Sequence, residues 1–109
     1  MLPFREHGIL GAVRVIALRT LREFWTEHGD AEQPLRAWYS EASASDWAGP
    51  ADIKARYASA SFLGDNRVVF NIGGNKYRLI VAIRYEAKVV YVRFVGTHAE
   101  YDKVDAATV

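Results

Sequence analysis

Residues 66–103, NRVVFNIGGNKYRLIVAIRYEAKVVYVRFVGTHAEYDK, decide the fold of this chain because they predict three consecutive strands. Apolar and polar residues alternate in three runs, which is the pattern of strands that bury one face. The first two runs are separated by residues 73–75 (GGN), a turn in which positive φ angles cost little. The last two runs are separated by residues 86–88 (EAK). The stretch therefore predicts a three-stranded antiparallel meander.

The same alternation divides the strand side chains between two faces of the predicted sheet. One face is apolar, and we expect it to pack against helices. The other mixes apolar residues with Arg78, Arg93 and Tyr91, and we expect it to be open to a polyanion. The residues predicted on the apolar face are Val68, Phe70, Ile72, Tyr77, Leu79, Val81, Ile83, Tyr85, Val90, Val92 and Phe94.

The segment before the meander begins with a predicted strand and helix. Residues 13–17 (VRVIA) are rich in β-branched side chains, which favours a strand. Apolar residues then recur at helical spacing. Thr20 is a candidate N-cap with Glu23 three residues later, the pattern of a capping box, and Gly29 is a candidate stop.

Further helices are predicted at residues 31–44 and 51–57, where the aromatic residues at helical spacing are read as core. Residues 59–65 are predicted to be a polar connection. A last helical turn is predicted at residues 98–104, with Thr97 as its cap. The predicted fold class is α+β, with an N-terminal strand and two to three helices packed on a twisted antiparallel sheet, in the order β-α-α-(α)-β-β-β-short α.

Composition limits the chemistry. The chain has 109 residues, half of them hydrophobic, which is enough for one small domain with a core. It has no cysteine, so disulfides, thiolate metal sites and cysteine nucleophiles are excluded. His7, His28 and His98 lack the spacing of a metal site, and we expect neither metal nor cofactor. The net charge is only +1, but basic residues concentrate in residues 66–103 and acidic ones in 23–52.

No stretch of the sequence predicts a membrane segment. A spanning helix needs about 20 apolar residues, and no run approaches that length. Residues 9–18 are interrupted by Arg14 and lack the small-residue pattern of a cleavage site, so a signal peptide is not expected. We expect the protein to act in the cytoplasm.

Two blocks that together cover most of residues 66–106 resemble a known family. NRVVFNIGGNKYRLIV at 66–81 and YVRFVGTHAEYDKVDA at 91–106 are similar to the HigB-type toxins of bacterial toxin–antitoxin pairs, within the RelE-like group of mRNA-cutting toxins. The resemblance covers roughly residues 13–109 and implies one RelE/HigB-like domain there, with residues 1–12 as an N-terminal extension. Upstream it includes LRTLREFW at 18–25, LRAWY at 35–39 and ADIKARY at 51–57.

The resemblance implies a type II toxin, a ribosome-dependent endoribonuclease that cuts mRNA in the ribosomal A site. The chemistry it implies uses no metal: the ribose 2′-hydroxyl attacks the adjacent phosphate and the 5′ oxygen leaves. The implied partners are the ribosome, mRNA and a HigA-like helix-turn-helix antitoxin, with operator DNA reached only through the antitoxin. The small net charge agrees with dependence on the ribosome, because a weakly charged protein binds free RNA poorly.

By the same resemblance, four residues are candidates for catalysis. Arg78 matches the arginine that contacts the scissile phosphate, and His98 matches a catalytic position after the last strand, where we expect a general acid. Tyr101, three residues later, could stack on a base or assist proton transfer. Lys76 is a candidate for phosphate contact, or for the general base if its pKa is lowered. Further candidate RNA contacts are Arg67, Asn71, Arg93 and Lys103.

The general base is left open, because no glutamate stands out in the role that it has in some relatives. Two other functions also remain open. On the same scaffold, a ParE-like protein inhibits DNA gyrase without cutting RNA, and the ending with His98 and Tyr101 argues weakly against that function. A non-catalytic module could instead serve its antitoxin in operon autoregulation.

Overall fold

The computed structural model describes residues 12–109, which form an α+β domain with five strands and four α-helices. The predicted fold class is therefore confirmed. The predicted extension at residues 1–12 lies almost entirely outside the described part. In chain order the elements are β1 (Arg14–Ile16), α1 (Leu18–Glu27), a 3-10 turn (Gly29–Ala31), α2 (Glu32–Ala44), α3 (Pro50–Arg56), β2 (Ser61–Leu63), β3 (Arg67–Ile72), β4 (Tyr77–Arg84), β5 (Val89–Thr97) and α4 (His98–Tyr101).

The strands form one mixed sheet in the order β1-β5-β4-β3-β2. Strands β3, β4 and β5 make the predicted antiparallel meander. Strand β1, which was predicted without a partner, pairs in parallel with β5 and makes the sheet mixed. Alternation of side chains indicates which face a strand buries but not the direction of its neighbour, and the helices and three other strands separate β1 from β5 in the sequence.

The predicted polar connection at residues 59–65 contains a further strand. Residues Ser61–Leu63 pair antiparallel with β3 at one edge of the sheet. The strand has three residues and is followed by a turn in which Asp65 and Asn66 have positive φ angles. A strand this short carries too little alternation to be distinguished from a loop in the sequence.

A bulge in β5 changes which side chains reach the core. Val92 pairs with Val81 and Phe94 pairs with Ile80, so Arg93 between them has no partner in β4. Beyond the bulge, Val95 packs against the core and Phe94 does not, so the prediction that Phe94 lies on the apolar face was wrong. An extra residue reverses the alternation of everything after it.

The helices lie close to their predicted positions, but one predicted cap was wrong. Helix α1 begins at Leu18 after Ala17, which provides no side-chain cap, and Thr20 lies inside the helix. Helix α3 has Pro50 in its first turn, where a missing N–H costs nothing. None of the helices among residues 12–109 has the length and apolar character needed to cross a membrane.

The core lies between the helices and the apolar face of the sheet. Trp38 of α2 packs edge-on against Phe70 of β3, with ring centroids 5.4 Å apart, and Trp47 and Tyr57 contact the same Phe70 ring. Leu21, Leu35, Leu79, Val81 and Val90 are fully buried around them. The aromatic residues at helical spacing are therefore core, as predicted.

The second face of the sheet is less open than expected. Val69 and Ile80 point away from the main core and are nevertheless buried. The main-chain oxygen of Val109 accepts hydrogen bonds from Arg67 and Arg93, so the last described residues lie across part of this face. The rest of this face carries half-buried Arg78 near the start of β4 and exposed Arg84 and Tyr91 toward its other end.

Candidate active site

The candidate site is built on the turn between β3 and β4. Gly73 and Gly74 have φ angles of +63° and +72°, which only glycine adopts without strain. The Lys76 N–H donates to the Gly73 carbonyl at 3.3 Å and closes the turn. The Asn75 carbonyl is left directed outward, available to side chains from other elements.

Two candidate catalytic side chains converge on that carbonyl. His98 Nε2 lies 2.6 Å from the Asn75 oxygen, and an Arg78 guanidinium nitrogen lies 3.4 Å from it. The histidine contact is short, while the arginine contact is long and holds the guanidinium loosely. Arg78 pairs across the sheet with Asn71 and Gly96, and that register brings the end of β5 to the turn.

His98 is positioned by a capping box at the end of β5. The Thr97 hydroxyl accepts from the Glu100 N–H, and the Glu100 carboxylate accepts from the Thr97 N–H at 2.8 Å. The two bonds fix the direction in which α4 leaves the sheet. The predicted Thr97 cap is confirmed, although the helix ends at Tyr101 rather than at residue 104.

Gly96 leaves the space that this capping box requires. A Cβ atom at residue 96 would lie 2.6 Å from the Phe94 ring and 2.8 Å from the Glu100 carboxylate. Contacts this short are not tolerated, so any larger residue would displace Phe94 or open the capping box. Gly96 thus lets the strand pass directly beneath the side chains that hold α4.

Tyr101 lies beside Arg78, with the guanidinium carbon 5.7 Å from the centre of the tyrosine ring. At this distance the positive charge is attracted to the face of the ring. Arg78 and Tyr101 are half-buried, whereas His98 is exposed. The structure therefore brings three of the four predicted catalytic residues to one surface.

Lys76 points elsewhere. Its ammonium forms an ion pair with Asp30, in the 3-10 turn before α2, and the Tyr77 hydroxyl donates to the same carboxylate. The hydrogen bond to Asp30 raises the pKa of Lys76, which is the opposite of what a lysine base requires. The same contacts, first from Lys76 and then from Tyr77, lower the pKa of Asp30. Lys76 in this position anchors the turn to the helices.

The predicted RNA contacts are divided between two places. Asn71 lies next to Arg78 in the sheet, so it belongs to the same surface. Arg67 and Arg93 are held by the main-chain oxygen of Val109, away from the turn. Lys103 is exposed just beyond α4. Among residues 12–109, no three His, Cys, Asp or Glu side chains cluster closely enough to hold a metal ion.

Sequence reasoning missed three contributors to the site. The Asn75 carbonyl is a main-chain group, which residue types do not reveal. Asp30 lies 46 residues before Lys76, and nothing local connects them. Glu100 was within reach of sequence reasoning, because a glutamate three residues after Thr97 completes a capping-box pattern.

Comparisons with known proteins agree on one family. A sequence model of the HigB_toxin family, described as the RelE-like toxic component of a toxin-antitoxin system, matches residues 31–104. The chain is 38% identical over 55 residues to the "mRNA interferase toxin HigB" of Escherichia coli (strain K12), which is 49% of this chain and 53% of that protein. The "mRNA interferase HigB" of Shigella flexneri matches to the same extent. The chain thus spans about half the length of the curated relatives that it matches.

Proposed function

The chain belongs to the HigB toxin family, and from this membership we propose that it is the toxin of a type II toxin–antitoxin pair and acts by cutting mRNA. The curated relatives are named mRNA interferases, which supports this activity.

The observation that carries the proposal is the convergence of Arg78 and His98 on the Asn75 carbonyl, with Tyr101 beside them. Cleavage of RNA by its own 2′-hydroxyl needs a cation for the phosphorane, a proton donor for the leaving oxygen and a surface that holds the base. A guanidinium, an imidazole and a phenol ring supply these three functions, and all three face one accessible surface.

In the proposed reaction the 2′ oxygen bonds to phosphorus and releases its proton to water, while the bond from phosphorus to the 5′ oxygen breaks. Arg78 contacts the phosphate oxygens, whose charge is greatest when five oxygens surround the phosphorus. His98 donates a proton to the departing 5′ oxygen. Tyr101 stacks on the neighbouring base. No metal ion takes part in these steps.

The setting of the reaction is part of the proposal. The target is mRNA in the ribosomal A site, since a net charge of +1 gives weak attraction for free RNA. Translated mRNA would place the action in the cytoplasm. The partner that neutralises the toxin is a HigA-like antitoxin with a helix-turn-helix domain, through which the pair would repress its own operon.

Brief expression of the chain without an antitoxin tests the proposal. Primer extension on a translated mRNA and on a matched copy without a start codon should reveal cuts in the translated copy alone. Both His98→Ala and Arg78→Ala should remove these cuts while the circular dichroism spectrum stays native. Growth arrest with intact mRNA would contradict the proposal and favour a gyrase target. Normal growth with intact mRNA would instead favour a non-catalytic role in operon control.

A further inference from the structure

The contact between His98 and Asn75 specifies where the imidazole carries its hydrogen. A main-chain carbonyl oxygen can only accept a hydrogen bond. The 2.6 Å contact therefore requires a hydrogen on His98 Nε2, in the neutral ring as well as in the cation. Nε2 is occupied by this bond, and Nδ1 is the nitrogen that can give or take a proton.

The carbonyl that imposes this state is itself fixed from two sides. Within the turn, the bond from Lys76 N–H to the Gly73 carbonyl sets the direction of the peptide groups. From outside, Asp30 accepts from both Lys76 and Tyr77, the two residues that directly follow Asn75. The 3-10 turn that carries Asp30 belongs to the helical layer, so the turn cannot tilt without breaking both contacts.

We propose that the Asn75 carbonyl, anchored by Asp30, is a positioning group that holds His98 with its hydrogen on Nε2 and leaves Nδ1 to exchange the proton with substrate. Asp30 is then a positioning residue that acts through the turn and touches neither RNA nor the reacting atoms. The inference rests on the proposed function for what Nδ1 does, but the state of the ring can be measured without RNA.

The proton transfer follows from this arrangement. As the bond from phosphorus to the 5′ oxygen breaks, the imidazolium of His98 gives its Nδ1 proton to that oxygen. The 2′-hydroxyl proton passes to water as the new bond to phosphorus forms. The ring is left neutral with its remaining hydrogen on Nε2, still bonded to Asn75, and regains a proton at Nδ1 from water. The orientation of His98 is kept throughout, since the bond to Asn75 exists in both charge states.

Two control variants separate this role from general stability. Asp46 pairs with Lys88 at the turn between β4 and β5, so Asp46→Asn breaks an ion pair of the same kind at a turn that does not touch His98. Asn75→Ala removes a side chain and keeps the carbonyl. Asp30→Asn removes the charge and one of the two oxygens that accept from Lys76 and Tyr77, and Tyr77→Phe removes one of the two hydrogen bonds while keeping the ring in the core.

The experiment is long-range ¹H–¹⁵N NMR on the full chain labelled at histidine nitrogen, with His98 assigned through His98→Gln. The wild type, Asp46→Asn and Asn75→Ala should each show neutral His98 with its hydrogen on Nε2. Asp30→Asn should show a mixture of both tautomers, and Tyr77→Phe a smaller change in the same direction. In the translation-coupled cleavage assay, Asp30→Asn should lower the maximal rate roughly tenfold to a hundredfold with little change in KM.

A hydrogen on Nδ1 in the wild type would overturn the inference, even if His98→Ala abolishes cleavage. Equal tautomer populations in wild type and Asp30→Asn would also overturn it, because the anchor would then have no effect on the ring. Absence of mRNA cleavage by the wild type is a different result. It would refute the proposed function, whereas the tautomer measurement contains no RNA and is decided independently.

Discussion

The turns at the two ends of β4 are both closed by a main-chain hydrogen bond and an ion pair, but within residues 12–109 only the first presents a carbonyl to a histidine side chain. Each is closed by a main-chain bond, from Lys76 to Gly73 in one and from Lys88 to Tyr85 in the other. The lysine of each turn then pairs with an aspartate: Lys76 with Asp30 in the 3-10 turn, and Lys88 with Asp46 in the connection between α2 and α3. The first turn, residues 73–76, presents its Asn75 carbonyl to a side chain. The second, residues 85–88, is a connection without such a contact among the described residues.

The difference comes from the neighbours that the sheet provides. At the second turn the carbonyl of Lys88, the last turn residue, accepts from the Arg14 N–H of β1 at 2.8 Å within the parallel pairing. At the first turn the carbonyl of Asn75, the third turn residue, accepts from His98 at the end of β5. The first turn thus gives a carbonyl to a candidate catalytic side chain, whereas the second gives one to a strand.

The largest contrast between the turns is expected in activity. His98→Ala and Arg78→Ala should each reduce mRNA cleavage by about 10²–10⁴-fold, because in the proposed reaction each removes a group that acts on the transition state. Lys88→Ala at the second turn should leave the cleavage rate unchanged. Rates are measured by primer extension in a coupled translation system. Equal loss in Lys88→Ala and His98→Ala would break the distinction between the turns.

The end of β5, which carries His98 to the first turn, is tested by the effect of a substitution at Gly96 on stability. Gly96→Ala should lower the free energy of unfolding by about 1–3 kcal/mol, because the new Cβ meets the Phe94 ring and the Glu100 carboxylate. Gly64→Ala is the matched control, since a Cβ there meets no atom within 4 Å. Urea denaturation of the two variants measures the difference. Similar values for both would show that the end of β5 adjusts without cost.

The backbone of the two turns predicts effects of different size on stability. Gly74→Ala should destabilise the fold by about 1–2 kcal/mol, because residue 74 has a φ of +72° and a side chain strains that conformation. Lys88 already has a φ of +57° with a side chain. Lys88→Gly should therefore not destabilise the fold to that extent, since relief of strain offsets the lost ion pair. Thermal unfolding compares them, and a greater loss in Lys88→Gly would contradict this account.

The smallest effect is the pH dependence of the Asp30 anchor. Lys76 and Tyr77 lower the pKa of Asp30, so its stabilising contribution is present above the unfolded pKa of about 4 and is lost as pH falls below it. The raised pKa of Lys76 keeps its own contribution intact up to pH of about 10.5. The stability difference between wild type and Asp30→Asn should be constant near neutral pH and shrink below about pH 4.

Urea titrations of the wild type and Asp30→Asn, from neutral to acidic pH, measure this difference in the free energy of unfolding. Asp46→Asn is the reference for loss of an exposed carboxylate. A difference that stays constant down to pH of about 2 would mean that Asp30 titrates alike in the folded and unfolded chain. The charge of Asp30 would then contribute nothing to the stability of the turn.

The sequence by itself determined the strands β3, β4 and most of β5, the three longer helices, the Thr97 cap and the apolar face of the sheet. Each depends on periodicity or on residues three or four positions apart, which local sequence contains. The identity of Arg78, His98 and Tyr101 as candidates also came from the sequence, through resemblance to the family. Their convergence in space did not.

Only the tertiary structure decided the parallel pairing of β1, the bulge at Arg93 and the hydrogen bonds from Arg67 and Arg93 to Val109. It also decided that Asp30 and His98 are the partners of the turn at residues 73–76. Asp30 meets Lys76 across 46 residues, and His98 meets Asn75 across 23. Such contacts exist only after the sheet has set its register and the helices have packed on it. The physical reason is that hydrogen bonds between distant groups depend on the directions of whole elements, which no local pattern of residues records.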